Sequence, residues 1–116
     1  MSIVWTLRLT TQAELDFSEI LAWTAENFGE IQTDTYAETL TLAIEALQDG
    51  PELLGARARD DIQPGIRTLH VARRGRNGRH FVVFRQTQDQ YIDVLRLLHD
   101  SMDLARHIPA RHDQSK

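Results

Sequence analysis

The apolar positions of the chain shift between a period of two and a period near 3.6, and each shift marks an element. Ile3 to Leu9 opens on β-branched and aromatic residues (Ile3, Val4, Trp5, Thr6) that suit a pleated, half-buried surface, so a strand is expected. Thr11 with Glu14 three residues on matches a capping box, in which hydroxyl and carboxylate each satisfy a backbone N–H, and a helix follows to about Asn27. Its apolar face is read as Leu15, Ile20, Leu21 and Phe28, flanked by Phe17 and Trp23. Gly29 is a good left-handed terminator. A second helix spans Glu30 to Gln48, with Tyr36, Leu40, Ala43, Ile44 and Leu47 as its stripe, and Asp49-Gly50-Pro51 closes it. So short a link makes the two helices an antiparallel hairpin, one stripe of each facing a sheet. Trp23 and Tyr36 are expected in the core or in the hairpin contact.

Glu52 to Gln63 reads as a connecting loop in which Arg57, Arg59 and Asp60-Asp61 neutralise one another. Pro64-Gly65 launches a strand from Ile66 to Arg73, where Leu69 and Val71 alternate with Thr68 and His70. Arg73 to Arg79 is a hairpin turn carrying the pair Asn77-Gly78, which tolerates positive φ. His80 to Arg85 is apolar almost throughout, as for a central strand covered on both faces. A tight turn at Thr87 to Gln90 leads to a last strand, Tyr91 to Leu98, with Ile92, Val94 and Leu98 on one side and Tyr91, Leu95 and Leu97 on the other. Asp100 to Ile108 is expected to form a short helix, and residues 109–116 a frayed tail. The order strand, helix, helix, three strands indicates an α+β fold, a two-helix hairpin on a small antiparallel sheet, in one domain over residues 1–116.

Composition adds constraints. Cysteine is absent, so disulfides and thiolate chemistry are excluded, and no apolar run approaches the roughly 20 residues that span a bilayer. The N-terminus has no basic-then-apolar segment of a signal peptide, so a cytoplasmic protein without membrane contact is expected. The net charge of −4 hides a division. Residues 1–55 carry ten acids against one base, Arg8, and residues 56–116 carry twelve bases against seven acids, a split of −9 and +5. Every base except Lys116 is arginine, the side chain suited to bidentate carboxylate or phosphate contacts. The second half therefore suits an acidic partner, a nucleic acid or an acidic protein segment.

Candidate chemistry lies between Pro64 and His99. Arg67, Arg85 and His99 sit on three consecutive strands, where a meander could gather them on one sheet. Functionally, the two arginines could grip phosphate or an acidic groove; structurally, they would pair with Asp93, Asp100 or Asp103. Histidine as a residue type suits an acid–base role, and His99 has Asp100 or Asp103 beside it, although a histidine that ends a strand commonly plays a structural part. Cleavage of RNA through its 2′-hydroxyl needs a proton acceptor, a proton donor and cations, and arginine does not serve as the acceptor. His70, His80, His107 and His112 show no metal-ligand spacing, so neither a metal nor a cofactor is expected.

The ordered set of an early strand, an acidic helical hairpin, Leu54-Gly55, Pro64-Gly65-Ile66-Arg67, Val82-Val83-Phe84-Arg85, Leu97-Leu98-His99 and Met102-Asp103 resembles the RelE/ParE family of bacterial toxins, and within it the ParE-like branch. The likeness covers about residues 3–108. It implies the toxin of a type II toxin–antitoxin module that inhibits DNA gyrase, arrests growth and stabilises plasmids, held in a hetero-oligomer by a cognate ParD-like antitoxin. Relatives of the RelE type cut mRNA on the ribosome, and in that alternative Arg67, Arg85 and His99 would be the catalytic set. A third reading is a non-toxic protein-binding module. On the gyrase reading no residue is catalytic, and Arg57, Arg59, Arg67, Arg73, Arg74, Arg76, Arg79 and Arg85 are the expected contacts to target or antitoxin.

Overall fold

A computed structural model describes residues 4–108. Strand β1 (Thr6–Leu9) leads into helix α1 (Thr11–Phe28), and Gly29 reverses the chain into helix α2 (Glu30–Ala46). A 3₁₀ turn at Leu47–Asp49 precedes β2 (Arg57–Ala58), β3 (Arg67–His70), β4 (His80–Thr87) and β5 (Tyr91–His99). The sheet order is β1-β5-β4-β3-β2. All neighbours are antiparallel except β1, which runs parallel to β5. The expected element order is therefore present, with two differences. The sheet is mixed, because the helical hairpin returns the chain across the sheet, and the loop after α2 contributes the short edge strand β2.

The helical hairpin covers one face of the sheet. Leu40, Ala43, Ile44 and Leu47 are buried with Leu69, Val82, Phe84, Ile92, Val94 and Leu97, so the stripe read on α2 is the one observed. On α1 the stripe is rotated. Ala13, Asp16 and Thr24 are buried, and Phe17, Ile20 and Leu21 are packed against the core, whereas Leu15, Trp23 and Phe28 are exposed. Trp23 thus lies outside the core, edge-on to Phe28 at 5.7 Å. The phase follows from what α1 meets on β5. The buried Asp16 carboxylate accepts from Arg96 Nε at 2.8 Å, Arg96 Nη2 at 3.0 Å and the Leu97 N–H at 3.0 Å. A carboxylate is buried here because a cation and a backbone donor satisfy it.

The helix cap differs from the expected one by a residue. Thr10, not Thr11, is extended at φ −68°, ψ 160°, and its hydroxyl accepts the Ala13 N–H at 3.1 Å. The same residue donates its N–H to Val94 O at 3.0 Å and its hydroxyl to Leu95 O at 2.9 Å. It therefore starts the helix and closes the edge of β5 where β1 ends.

Central strand β4 is covered on both faces, as its apolar run implies. Its other face carries a smaller core of Ile66, Val83, Leu98, Leu104 and Ile108. A β-bulge decides which β5 residues go where. Val83 pairs with Arg96 but Phe84 pairs with Val94, so Leu95 is the extra residue. Alternation flips there, placing Leu97 with Ile92 and Val94, and Leu98 on the opposite face. The expected short helix after β5 is a single 3₁₀ turn, Leu104–Arg106, capped by Asp103. It still supplies Leu104 to the second core. The expected frayed tail, 109–116, lies outside the described residues.

The turn between β3 and β4 is built by Arg74 and Gly75, at φ 53° and 81°, with the Arg76 N–H donating to Arg73 O at 2.9 Å. Asn77-Gly78 does not make it. Gly78 instead permits a close approach, since a Cβ there would overlap Val71 Cγ2 and stand 3.1 Å from the Tyr36 ring.

Candidate functional site

The strands separate the three residues singled out between Pro64 and His99. Arg67 pairs with Phe84 in the β3–β4 register, and Phe84 belongs to the helix-facing core. Arg85 is the next residue on β4, so its side chain takes the other face. Both help to line a shallow cleft of about 200 Å³, with Ala58, Asp60, Pro64, Gly65 and Gln86. Arg67 Nε donates to Pro51 O at 2.7 Å, and its Nη2 lies 3.6 Å from Glu52. His99 pairs with His80, four positions along β4 from Phe84, roughly 14 Å away at about 3.4 Å per residue. The meander does not bring His99 to the two arginines.

Each of the acids that were candidates to pair with them meets a further arginine. Asp93, opposite Arg85, accepts from Arg8 Nε at 2.8 Å, while the Arg8 guanidinium stands 4.1 Å from the Tyr91 ring centre. Asp100 takes Arg79, and Asp103 caps its turn and lies 3.7 Å from Arg106.

The arginines of the turn are tied inward. Arg76 bonds Thr39 Oγ1 at 2.9 Å, Thr35 O at 3.2 Å and Glu38 at 3.0 Å, fastening the turn to α2. Arg73 reaches Leu54 O at 3.3 Å. Arg59 grips Asp61 bidentately at 3.0 Å, as a self-neutralised loop should. Arg57 and Arg74 are exposed. The repulsion expected at the tip is thus relieved largely by the chain's own carbonyls and carboxylates, and the surface is less cationic than the sequence count suggests.

A cluster that the spacing did not reveal lies at the far end of the sheet. The His80 and His99 rings are 5.3 Å apart, and Tyr36 Oη lies 2.6 Å from His80 Nδ1. The Arg79 N–H donates to Tyr36 Oη at 3.0 Å, so the phenol oxygen bridges the Arg79 backbone and His80 Nδ1. On the other face His70 Nε2 meets Asp100 Oδ2 at 3.0 Å, and Arg79 holds the same carboxylate. Hydrogen bonds from Arg79 and His70 lower the Asp100 pKa to about 2. Burial, reinforced by His99, lowers the His80 pKa to about 4, and burial raises that of Tyr36. The signal in the sequence was a histidine at or near the end of each of three consecutive strands.

Hydrogen bonding fixes what these groups can do. The Ala72 N–H donates to His70 Nδ1 at 3.0 Å and the Ser101 N–H to His99 Nδ1 at 3.1 Å. Each Nδ1 is therefore an acceptor, which leaves the proton on Nε2. With the Tyr36 hydroxyl on His80 Nδ1, all three rings have Nδ1 occupied. A general base needs such a lone pair free, and a metal-ligating imidazole ordinarily donates its second nitrogen's proton rather than accepting one. Among the described residues no cluster of three or more His, Asp or Glu is arranged to hold a metal ion. No helix among them is long and apolar enough to cross a membrane.

A hairpin of helices on a five-stranded mixed sheet, with one parallel pair and a β-α-α-β-β-β order, is the architecture shared by ParE- and RelE-type toxins. The structure of the chromosomal ParDE toxin–antitoxin system from P. aeruginosa superposes with TM-score 0.67 at 21% identity, covering 83% of this chain and 96% of that one. The toxin–antitoxin complex RelBE2 of Mycobacterium tuberculosis gives 0.56 at 18% identity, covering 84% and 99%. In sequence, the chain is 34% identical over 100 residues to Toxin ParE1 of M. tuberculosis (strain CDC 1551 / Oshkosh), covering 86% of this chain and 94% of that protein. The sequence model of the ParE toxin of type II toxin–antitoxin systems, parDE, matches residues 7–104. The chain belongs to the ParE toxin family.

Proposed function

We propose that this ParE-family toxin acts in the cytoplasm by binding DNA gyrase, stalls replication by contact rather than by a chemical step, and is neutralised by a ParD-like antitoxin in a hetero-oligomer. Family membership supports the target and the antitoxin. The observation that favours contact over chemistry is the locked imidazole set: His70, His80 and His99 keep their Nδ1 atoms occupied, and His99 stands apart from Arg67 and Arg85. A ribonuclease acting through the 2′-hydroxyl would need a base and cations converging on one phosphate. On this reading the surface that carries Arg57, Arg59, Arg67, Arg73, Arg74, Arg76, Arg79 and Arg85 contacts the partners, with the exposed Arg57, Arg74 and Arg79 foremost and Arg59, Arg73 and Arg76 also holding it in shape.

The test is to express the chain with and without its antitoxin, then to assay the purified protein against gyrase supercoiling and against ribosome-bound mRNA. Inhibited supercoiling with intact mRNA is the expected result. The His99→Ala variant should inhibit supercoiling as the parent does. Cleavage of mRNA in the ribosomal A site, lost by about 10²-fold or more in His99→Ala, would replace this reading with the endonuclease.

A further inference from the structure

We propose that the tip of the helical hairpin is a second docking surface, for a basic amphipathic helix of a partner protein. Trp23, Phe28 and Ile31 are 57%, 63% and 82% exposed, although each is of a type that folding ordinarily buries. Trp23 and Phe28 already stack edge to face, which makes them a rigid, preformed contact of the kind that dominates protein interfaces. Gly29, at φ 86°, turns the chain between Phe28 and α2 and holds Ile31 within the first turn of the second helix.

The surroundings name the occupant. Glu26 lies one helical turn beyond Trp23, Glu30 precedes Ile31, and Asp34 follows Ile31 by one turn. All three acids are exposed, and among the described residues none of them is in an ion pair. Residues 9–56 contain no lysine, arginine or histidine, so this end of the hairpin carries no cation of its own. A second copy docking tip to tip would set acid against acid, and nucleic acid would be repelled. An apolar helix face flanked by lysines or arginines satisfies both the aromatic pair and the acidic rim. The surface lies on the acidic half of the chain, bordered on α2 by Thr35, where Arg76 of the β3–β4 turn is bonded, and its assignment does not depend on the gyrase reading.

Trp23 reports on its own surface. The probe is a synthetic helical peptide of leucine and lysine, with a leucine–glutamate counterpart as control. Trp23 emission is obtained as the difference between the full chain and its Trp23→Phe variant. The lysine peptide should shift that emission to the blue and saturate. Removing the three charges together, by Glu26→Gln with Glu30→Gln and Asp34→Asn, should weaken binding roughly tenfold. Phe28→Ser with Ile31→Ser, which keeps the acids, should weaken it at least as much. These positions are exposed, and circular dichroism confirms that each variant is folded. An equal response to the glutamate peptide, unchanged binding in either variant, or a blue shift produced by raising the protein concentration alone would overturn the proposal.

Discussion

Asp16 is the residue whose removal should cost the fold most for its size. Its side chain is 6% exposed, and it joins α1 to β5 through Arg96 and the Leu97 backbone, with Gln12 donating to it at 3.2 Å. In Asp16→Ala the Leu97 N–H loses its acceptor in a buried place, which costs about 1–3 kcal/mol. Arg96 loses its counter-charge. Stranding a fully buried charge costs about 3–5 kcal/mol, but Arg96 keeps 20% exposure and a bond to His107 O, so the lower end or less applies. Alanine recovers about 0.5 kcal/mol of helix propensity. The net expectation is destabilisation by about 3 kcal/mol, near 12 °C in Tm for a chain of this length. Urea unfolding should show the midpoint falling with an unchanged m value. Asp16→Leu with Arg96→Met removes the stranded charge but still leaves the Leu97 N–H without its acceptor, so it should restore about half of the loss. A loss below about 1 kcal/mol, or a double variant no better than Asp16→Ala, would refute this reasoning.

Two further outcomes are expected. His80 has a folded pKa of about 4 against 6.5 unfolded, so between those values the unfolded chain binds more protons. Stability should therefore fall as pH drops from about 6.5 to 4 and stop falling from this cause below 4; the full shift of about 3 kcal/mol becomes on the order of 1–2 kcal/mol after solvent screening of a half-buried ring. Asp100, with its pKa lowered to about 2, adds a separate loss only at lower pH, and Tyr36, His70, His99 and Arg79 are the other titratable or charged groups around His80. Denaturant midpoints across this range should show the slope, and His80→Gln should flatten it; an unchanged slope would contradict the assignment. Gly78→Ala should cost about 1–3 kcal/mol, because the new methyl runs into the stiff, buried Val71; a change within about 0.5 kcal/mol, the scatter of neutral surface variants, would show that the turn gives way freely.

Periodicity exposed the parts of this fold that rest on local pattern. The α2 stripe, the Gly29 reversal and the doubly covered β4 are each determined by residues within one element. Features that depend on two distant elements were hidden. Leu15 and Phe28 lie outside the core because α1 is phased by Asp16 meeting Arg96, a contact 80 residues apart in sequence. The bulge at Leu95 reverses the faces of Leu97 and Leu98, and no spacing within β5 announces it. The candidate site shows the same limit. His70, His80 and His99 lack metal-ligand spacing, yet antiparallel pairing of His80 with His99, and of His70 with Phe81, stacks them at one end of the sheet. Arg67 and Arg85, close in pattern to His99, are held at the other.

The central claim is that the chain acts on gyrase by occupancy. Titrating gyrase supercoiling with the purified chain tests it most directly. A contact inhibitor should reach full inhibition near stoichiometric amounts, leave DNA, RNA and gyrase chemically unaltered, and release its block when antitoxin is added. Undiminished supercoiling under stoichiometric chain, or inhibition by far less than stoichiometric amounts with a cleaved or modified product, would contradict it.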